Sequence, residues 1–587
     1  MSRLRFRLIP LLSSVLCLTL PGLAQGPAPQ PQSAPPDAAS NAPSATFQIN
    51  SRMVTVEIVA RDSKGNHITG LKPSDLRLVE QIPSRSKEKH EQKIASLREV
   101  HMADLASQPA SAVQAQPGVY SNAAQRPKDP IPPTILLVDG LNTATEHQAQ
   151  VHVQMLKMLR QLPPNVPVSV FLLGSRLVML QSFTSDPRLL QIALHKAIST
   201  AGKGVADIDP ADDPQAVGNL MGALGGGPPG AGLGAMVAAA SDFDRMIYTA
   251  DMDLRVQRTI DAMISIGRNL AGYPGRKNLL WLSTAFPITV NDSTSDYFRN
   301  YWLKLQKMNG ALSEAKISVY PVNVAGVQTL SYFSAATGTS ASGAAAAVSR
   351  QQQMLSSEQD TMETIADGTG GKICAGDNDL GDCVRKAMDD SSDYYELSYY
   401  PDSTNWNGEF HKILIGAEGR DIRLAYRQGY YATPQGGGNP KAQQAALQAD
   451  CEDYLDATSI IFTAKSLPAD SPGQLKFGVS IDASGLTLAP AAGGSHLLNV
   501  SVAVCTFNER GWALKLMNYP LERKLDMQQY DSLLTGASVQ EAIFVPGPKP
   551  AAVRLLVKDV ASGRLGSIHI DIDDRFKEAA ETGRGTR

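Results

Sequence analysis

Residues 131–143 read Ile-Pro-Pro-Thr-Ile-Leu-Leu-Val-Asp-Gly-Leu-Asn-Thr, an apolar run of strand length that stops at an aspartate and ends in oxygen-bearing side chains. Two chemistries suit Asp139 and Thr143. Carboxylate and hydroxyl oxygens are ligands for a hard cation such as Mg²⁺ or Mn²⁺. Short polar side chains such as Asp139 and Asn142 also cap the helix that follows, at about 1 kcal/mol. In an open α/β sheet the C-terminal end of such a strand is where ligands bind.

Other reactive constellations are absent from the sequence. It contains no GxSxG nucleophile elbow, no HExxH pair and no GxxxxGK[ST] phosphate loop. The nine histidines are scattered, and His147 and His152, five apart, do not share a helix face. Gly230-Ala-Gly-Leu-Gly234 lacks the preceding strand of a dinucleotide site and reads as flexible chain. The acidic sets Asp207-Ile-Asp-Pro-Ala-Asp-Asp213 and Asp377-Asn-Asp-Leu-Gly-Asp382 lack the EF-hand order and read as solvated loops. Tyrosines 394, 395, 399, 400, 430 and 431 fit either a recognition surface or strand packing.

The elements that hold Asp139 follow from periodicity. Val151, Met155, Met158, Leu159 and Leu162 recur at helical spacing, and residues 166–173 form a second apolar strand. Thr184-Ser-Asp-Pro187 starts a helix over 189–198, and Val256, Ile260, Met263, Ile264 and Leu270 mark another. Residues 278–282 and 317–322 are further apolar strands. Strands this apolar between helices predict a doubly wound, mostly parallel α/β sheet covered on both faces, over 134–433. Residues 202–253 and 337–347, rich in Gly and Ala, read as loops, and the strands at 394–400, 411–415 and 422–426 as closing the sheet edge. Before this layer, 46–103 alternates as a small Ig-like β domain, with 104–133 as a linker. After it, 434–450 reads as a linker, 451–574 as an antiparallel β-sandwich and 575–587 as a tail.

At 587 residues, with 43% hydrophobic residues, the chain can bury several cores. Its net charge of −3, with both signs mixed, excludes an electrostatic footprint for nucleic acid. Arg3, Arg5 and Arg7 precede an apolar run over 8–20 and small residues up to Ala24, the layout of a signal peptide over 1–24. A Pro/Ala/Gln linker over 25–45 follows, and no later stretch has the length of a membrane-spanning helix. The expected destination is secreted or periplasmic. Cys374, Cys383, Cys451 and Cys505 then remain for pairing in an oxidising compartment. Three pairings are open; 374 with 383 and 451 with 505 are favoured because each falls within one proposed domain.

Taken in order, residues 54–80, 135–143, Phe183-Thr-Ser-Asp186, Arg276-Lys-Asn-Leu-Leu-Trp-Leu-Ser283, 317–322, Thr369-Gly-Gly371, 394–401 and Arg427-Gln-Gly-Tyr-Tyr431 resemble the bacterial, notably acidobacterial, secreted proteins related to von Willebrand factor type A (VWA) domains. The resemblance covers about residues 46–433. It implies a VWA-like α/β domain, export and protein binding, with no established reaction. It also implies a cation site: Asp139 and Thr143 match the first metal loop DxSxS in part, and Thr200 matches the threonine of a second loop. Leu141 replaces the middle serine. After the 278–282 strand, where that family has an aspartate, stands Ser283. One carboxylate would carry most of the charge, which weights the reading toward a helix cap. The expectation is a non-catalytic exported protein binding a protein or envelope ligand. A hydrolase using the same loops, through Ser283 and a histidine, and a structural envelope scaffold are the alternatives.

Overall fold

A computed structural model of the chain describes residues 53–82, 89–101, 117–123, 132–143, 165–201, 231–283, 302–323, 361–374, 380–402, 406–417, 421–432, 440–453, 455–468, 474–545 and 550–572, with isolated helical positions at 104, 153, 155–157 and 160. The segments read as signal peptide, first linker and C-terminal tail lie outside these residues, as do 202–230 and 337–347.

Five strands open the described chain: β1 (Val54–Arg61), β2 (Leu76–Gln81), β3 (His90–Gln92), β4 (Ile94–His101) and β5 (Val119–Ser121). The next five, β6 (Thr134–Asp139), β7 (Val168–Leu173), β8 (Leu177–Thr184), β9 (Lys277–Ser283) and β10 (Ile317–Asn323), form one sheet in the order β10-β9-β6-β7-β8. All its neighbours are parallel except β7 and β8. Every residue of β6, β7 and β9 is buried, because helices cover both faces.

Odd-numbered residues such as Ile135, Leu137, Leu279 and Trp281 pack on α2 (Ala231–Leu270), α3 (Trp302–Glu314) and helical residues 361–369. Even-numbered residues such as Leu136, Val170 and Leu280 pack on α1 (Pro187–Ala201) and α4 (Leu380–Ser392). Residues 231–253, read from sequence as loop, are helical and continue the amphipathic stretch from Val256. Their Gly and Ala content misled the reading: alanine is also the best helix former.

Strands β11 (Asp393–Tyr399), β12 (Phe410–Ala417), β13 (Arg423–Tyr426) and β14 (Gly429–Tyr431) do not close the edge of that sheet. They pair with the first strands of the chain, in sheets ordered β13-β1-β11-β4 and β14-β12-β2-β3. Val56 lies opposite Leu397, and Ile413 opposite Glu80. The core between these sheets is Val56, Ile58, Leu78, Leu397, Tyr399 and Ile413. Tyr394, Tyr395 and Tyr399 are therefore packing residues, no more than 1% exposed. Residues 54–101 thus share a sandwich with residues 393–431, and the chain enters and leaves the α/β layer through it.

The helix at 361–369 ends at Gly370, with φ +74°, and Gly371. A methyl on Gly371 would lie 1.9 Å from the Val319 carbonyl oxygen, so only glycine lets this turn pass under β10.

A second antiparallel sandwich follows. Strands β15 (Phe462–Leu467), β16 (Leu475–Asp482), β17 (Leu488–Pro490), β18 (His496–Phe507), β19 (Ala513–Leu525), β20 (Ser538–Val545), β21 (Ala552–Asp559) and β22 (Leu565–Asp571) form its two sheets, with α6 (Met527–Leu534) between β19 and β20. β5, from the segment read as a linker, pairs with β15. Buried Asn122 fastens it by donating to the Ala457 and Ile460 carbonyls at 2.7 and 2.8 Å. The other expected linker contains a helix, α5 (Pro440–Glu452), with proline at its first position.

Cys451 of that helix is joined to Cys505 of β18, with Cα atoms 5.9 Å apart, and Cys374 to Cys383 at 6.1 Å. The bridges close 54 and 9 residues of chain, so losing them should cost about 4 and about 2.5 kcal/mol on the chain-entropy estimate. Peptide mapping without reduction, followed by melts of Cys451→Ala and Cys374→Ala, measures both; four free thiols or crossed pairing would refute the assignment.

Candidate functional site

Strand order places β6 at the centre of the α/β sheet, with the chain running outward to β7 and β8 and then crossing back to β9 on the other side. The carboxyl ends of β6 and β9 therefore flank the point where the winding reverses, the ligand-binding position of open α/β sheets. Asp139 ends β6 and Ser283 ends β9, brought abreast by the parallel register Val138↔Leu282.

Asp139 is 1% exposed and accepts five hydrogen bonds. Its Oδ1 takes the backbone N–H groups of Leu141 (3.1 Å) and Asn142 (2.9 Å). Its Oδ2 takes the Asn142 amide (2.8 Å), the Trp281 indole N–H (3.0 Å) and the Ser283 hydroxyl (3.0 Å). The Asn142 amide also donates to Thr259 Oγ1 at 2.9 Å, and Arg255 Nη1 to the Leu141 carbonyl at 3.2 Å. The turn after β6 is thus pinned to α2 as well as to β9. Burial raises the Asp139 pKa, while the donors from Asn142, Trp281 and Ser283 pull it back.

These residues do not fit a divalent cation. The donors from Asn142, Trp281 and Ser283 converge on the same carboxylate oxygen, and two of them, the indole and the amide N–H, have no lone pair to offer a metal. Among the described residues no group of three or more His, Cys, Asp or Glu side chains is placed to hold a metal ion. Thr143 is buried, with no hydrogen-bond partner for its hydroxyl among the described residues. Thr200 sits in the last turn of α1 rather than in a loop, and its side chain lies outside the described set. Asp139 therefore acts as an acceptor hub that ties three segments together. The start of the helix it was expected to cap also lies outside the described residues.

Sequence reasoning missed Trp281, Thr259 and Arg255. A signal existed for Trp281: an indole in an all-apolar strand needs a buried acceptor, and the aspartate ending a neighbouring strand supplies one. Ser283, the nucleophile of the hydrolase alternative, is 0% exposed and presents no face to a substrate. His147 and His152 lie outside the described residues, as do Asp207 to Asp213. Residues 231–234 of the glycine-rich stretch begin α2.

A second buried polar group sits in the first sandwich, where His411 Nδ1 is hydrogen-bonded to Glu80 Oε1 and Tyr430 donates to the same oxygen at 3.1 Å. Burial raises the Tyr430 pKa. All three side chains lie in the sheet of β2, β12 and β14, away from the carboxyl ends of β6 and β9.

No protein-family model matches the chain, and no curated protein does. Among solved structures it is similar to an aerotolerance-related membrane protein from Bacteroides fragilis NCTC 9343 carrying multiple mutations to serine, at 11% identity and a TM-score of 0.22, covering 44% of this chain and 98% of that one. It is also similar to the conserved hypothetical protein BatB from Bacteroides thetaiotaomicron, at 10% identity and a TM-score of 0.20, covering 44% and 99%. At these scores neither likeness bears on function. Among the described residues no helix is long and apolar enough to cross a membrane.

Proposed function

We propose that this chain is an exported, non-catalytic binding protein whose α/β layer, of VWA type, engages a protein or cell-envelope ligand through the segments that follow β6, β9 and β10. One observation carries the reading: at the switch point of the sheet, the acidic turn is locked by hydrogen-bond donors rather than arranged around an open reactive group. A doubly wound sheet with a single antiparallel strand supports the VWA-type assignment. Two disulfides support an oxidising destination. Binding of this kind needs no metal, since the carboxylate is already satisfied.

The test uses the purified chain against fractionated envelope extract. Saturable binding to one component is expected, unchanged by EDTA and lost when residues 284–301 are replaced by a Gly/Ser linker of equal length. Loss of binding with EDTA, or turnover of the captured component, would overturn the proposal.

A further inference from the structure

At one end of the second sandwich, the hairpin between β18 and β19 turns its apolar residues outward. Asn508 closes the tip: its Oδ1 accepts the backbone N–H groups of Arg510 and Trp512, both at 3.0 Å, and its own N–H donates to the Trp512 carbonyl at 3.1 Å. The backbone at Trp512 is thereby fixed, yet its side chain is 70% exposed, more than any other large apolar side chain among the described residues. Beside it the ladder slips. Thr506 lies opposite Lys515 and Phe507 opposite Ala513, so Leu514 is a bulge residue without a cross-strand partner, and it is 55% exposed. Every residue from 509 to 515 is exposed.

We propose that this tip is a membrane anchor: Trp512 and Leu514 enter the interfacial layer of a phospholipid bilayer, with Arg510 and Lys515 on its anionic head groups. Tryptophan suits that layer because its ring is apolar and its N–H polar. Charge favours an anionic surface. Neither Arg510 nor Lys515 is in an ion pair among the described residues, and against Glu509 they leave one positive charge in excess. Asp571, two strands away, is paired with His569 at 3.4 Å. Size argues for lipid over a protein partner: two side chains offer about 400 Å², short of the roughly 800 Å² per partner of a standard protein interface. A bilayer binds single small anchors reversibly.

The experiment sediments the chain lacking residues 1–24, which removes an apolar run that binds lipid by itself and contains none of the described residues. The vesicles are phosphatidylcholine alone or mixed equally with phosphatidylglycerol. Reversible binding is expected at about millimolar lipid, about fivefold tighter on the anionic vesicles, the worth of one cation near such a surface. Trp512→Ala, which changes a side chain outside every core, should weaken binding to both by about tenfold. Arg510→Gln combined with Lys515→Gln should erase the preference for phosphatidylglycerol and keep the binding to phosphatidylcholine. Bromine-labelled acyl chains should quench tryptophan fluorescence in wild type and leave that of Trp512→Ala unchanged, which locates the anchor at the tip. No sedimentation, equal binding by Trp512→Ala, or capture of an envelope protein through Trp512 by a chain that leaves vesicles unbound would each rule the anchor out.

Discussion

Asp139→Ala should destabilise the protein by about 5 kcal/mol. The substitution leaves two backbone N–H groups and the donors of Asn142, Trp281 and Ser283 without their acceptor. Each such buried donor costs about 1–3 kcal/mol, so five at the lower end reach that figure. A helix cap alone would have cost about 1 kcal/mol; the difference arises because Trp281 and Ser283 come from a neighbouring strand. Against a total stability of about 5–15 kcal/mol, the loss is close to unfolding. Trp281→Phe removes one donor while keeping the aromatic bulk, and should cost about 1–2 kcal/mol. Denaturant melts of wild type and both variants, each with EDTA and with excess Mg²⁺, provide the check. A loss near 1 kcal/mol for Asp139→Ala, or a Mg²⁺-dependent gain confined to wild type, would show that the hub reading is wrong and a metal is held there.

Lys277 should make the protein more stable at alkaline pH. It is 1% exposed in β9, and burial, reinforced by the charge of Lys316 and opposed by Glu57, lowers its pKa from 10.5 to about 7. Its Nζ donates to the Tyr273 and Gly275 carbonyls at 2.7 and 2.9 Å. A neutral amine has two hydrogens for those two acceptors; the ammonium would bury a third with no further acceptor among the described residues. Because the folded value lies below the unfolded one, the unfolded chain binds more protons between about pH 7 and pH 10.5, and stability rises with pH across that window. The contribution is complete above the unfolded pKa and is lost as pH falls through about 7. At about 1.4 kcal/mol per tenfold change in proton affinity, the full span is about 5 kcal/mol, of which about 4 should be gained between pH 7 and pH 10. Lys277→Met removes the titrating group, so subtracting its urea-derived stability from that of wild type isolates the effect from other ionisations. A difference that stays flat from pH 6 to pH 10 would rule it out.

The apolar strands ending in Asp139 and Ser283, the helices at 189–198 and 256–270 between them and the four cysteines that follow residue 24 were legible in the sequence, because periodicity and composition are local. A fully apolar strand needs cover on both faces wherever it lies, so 135–138 and 278–282 announced a helix-covered sheet. Pairing was not legible. The alternation in 54–61 and the tyrosines of 393–399 show that each is a strand, but nothing local states that Val56 will lie opposite Leu397. Consecutive elements are usually neighbours, and that expectation misassigned the late strands to the edge of the α/β sheet. The same limit applies at the site. Asp139 was visible as an acidic residue ending a strand, but whether its oxygens meet a cation or an indole depends on which strand is abreast of it. That was decided by tertiary structure, since the parallel register of β6 with β9 brings the Trp281 N–H and the Ser283 hydroxyl to one carboxylate oxygen.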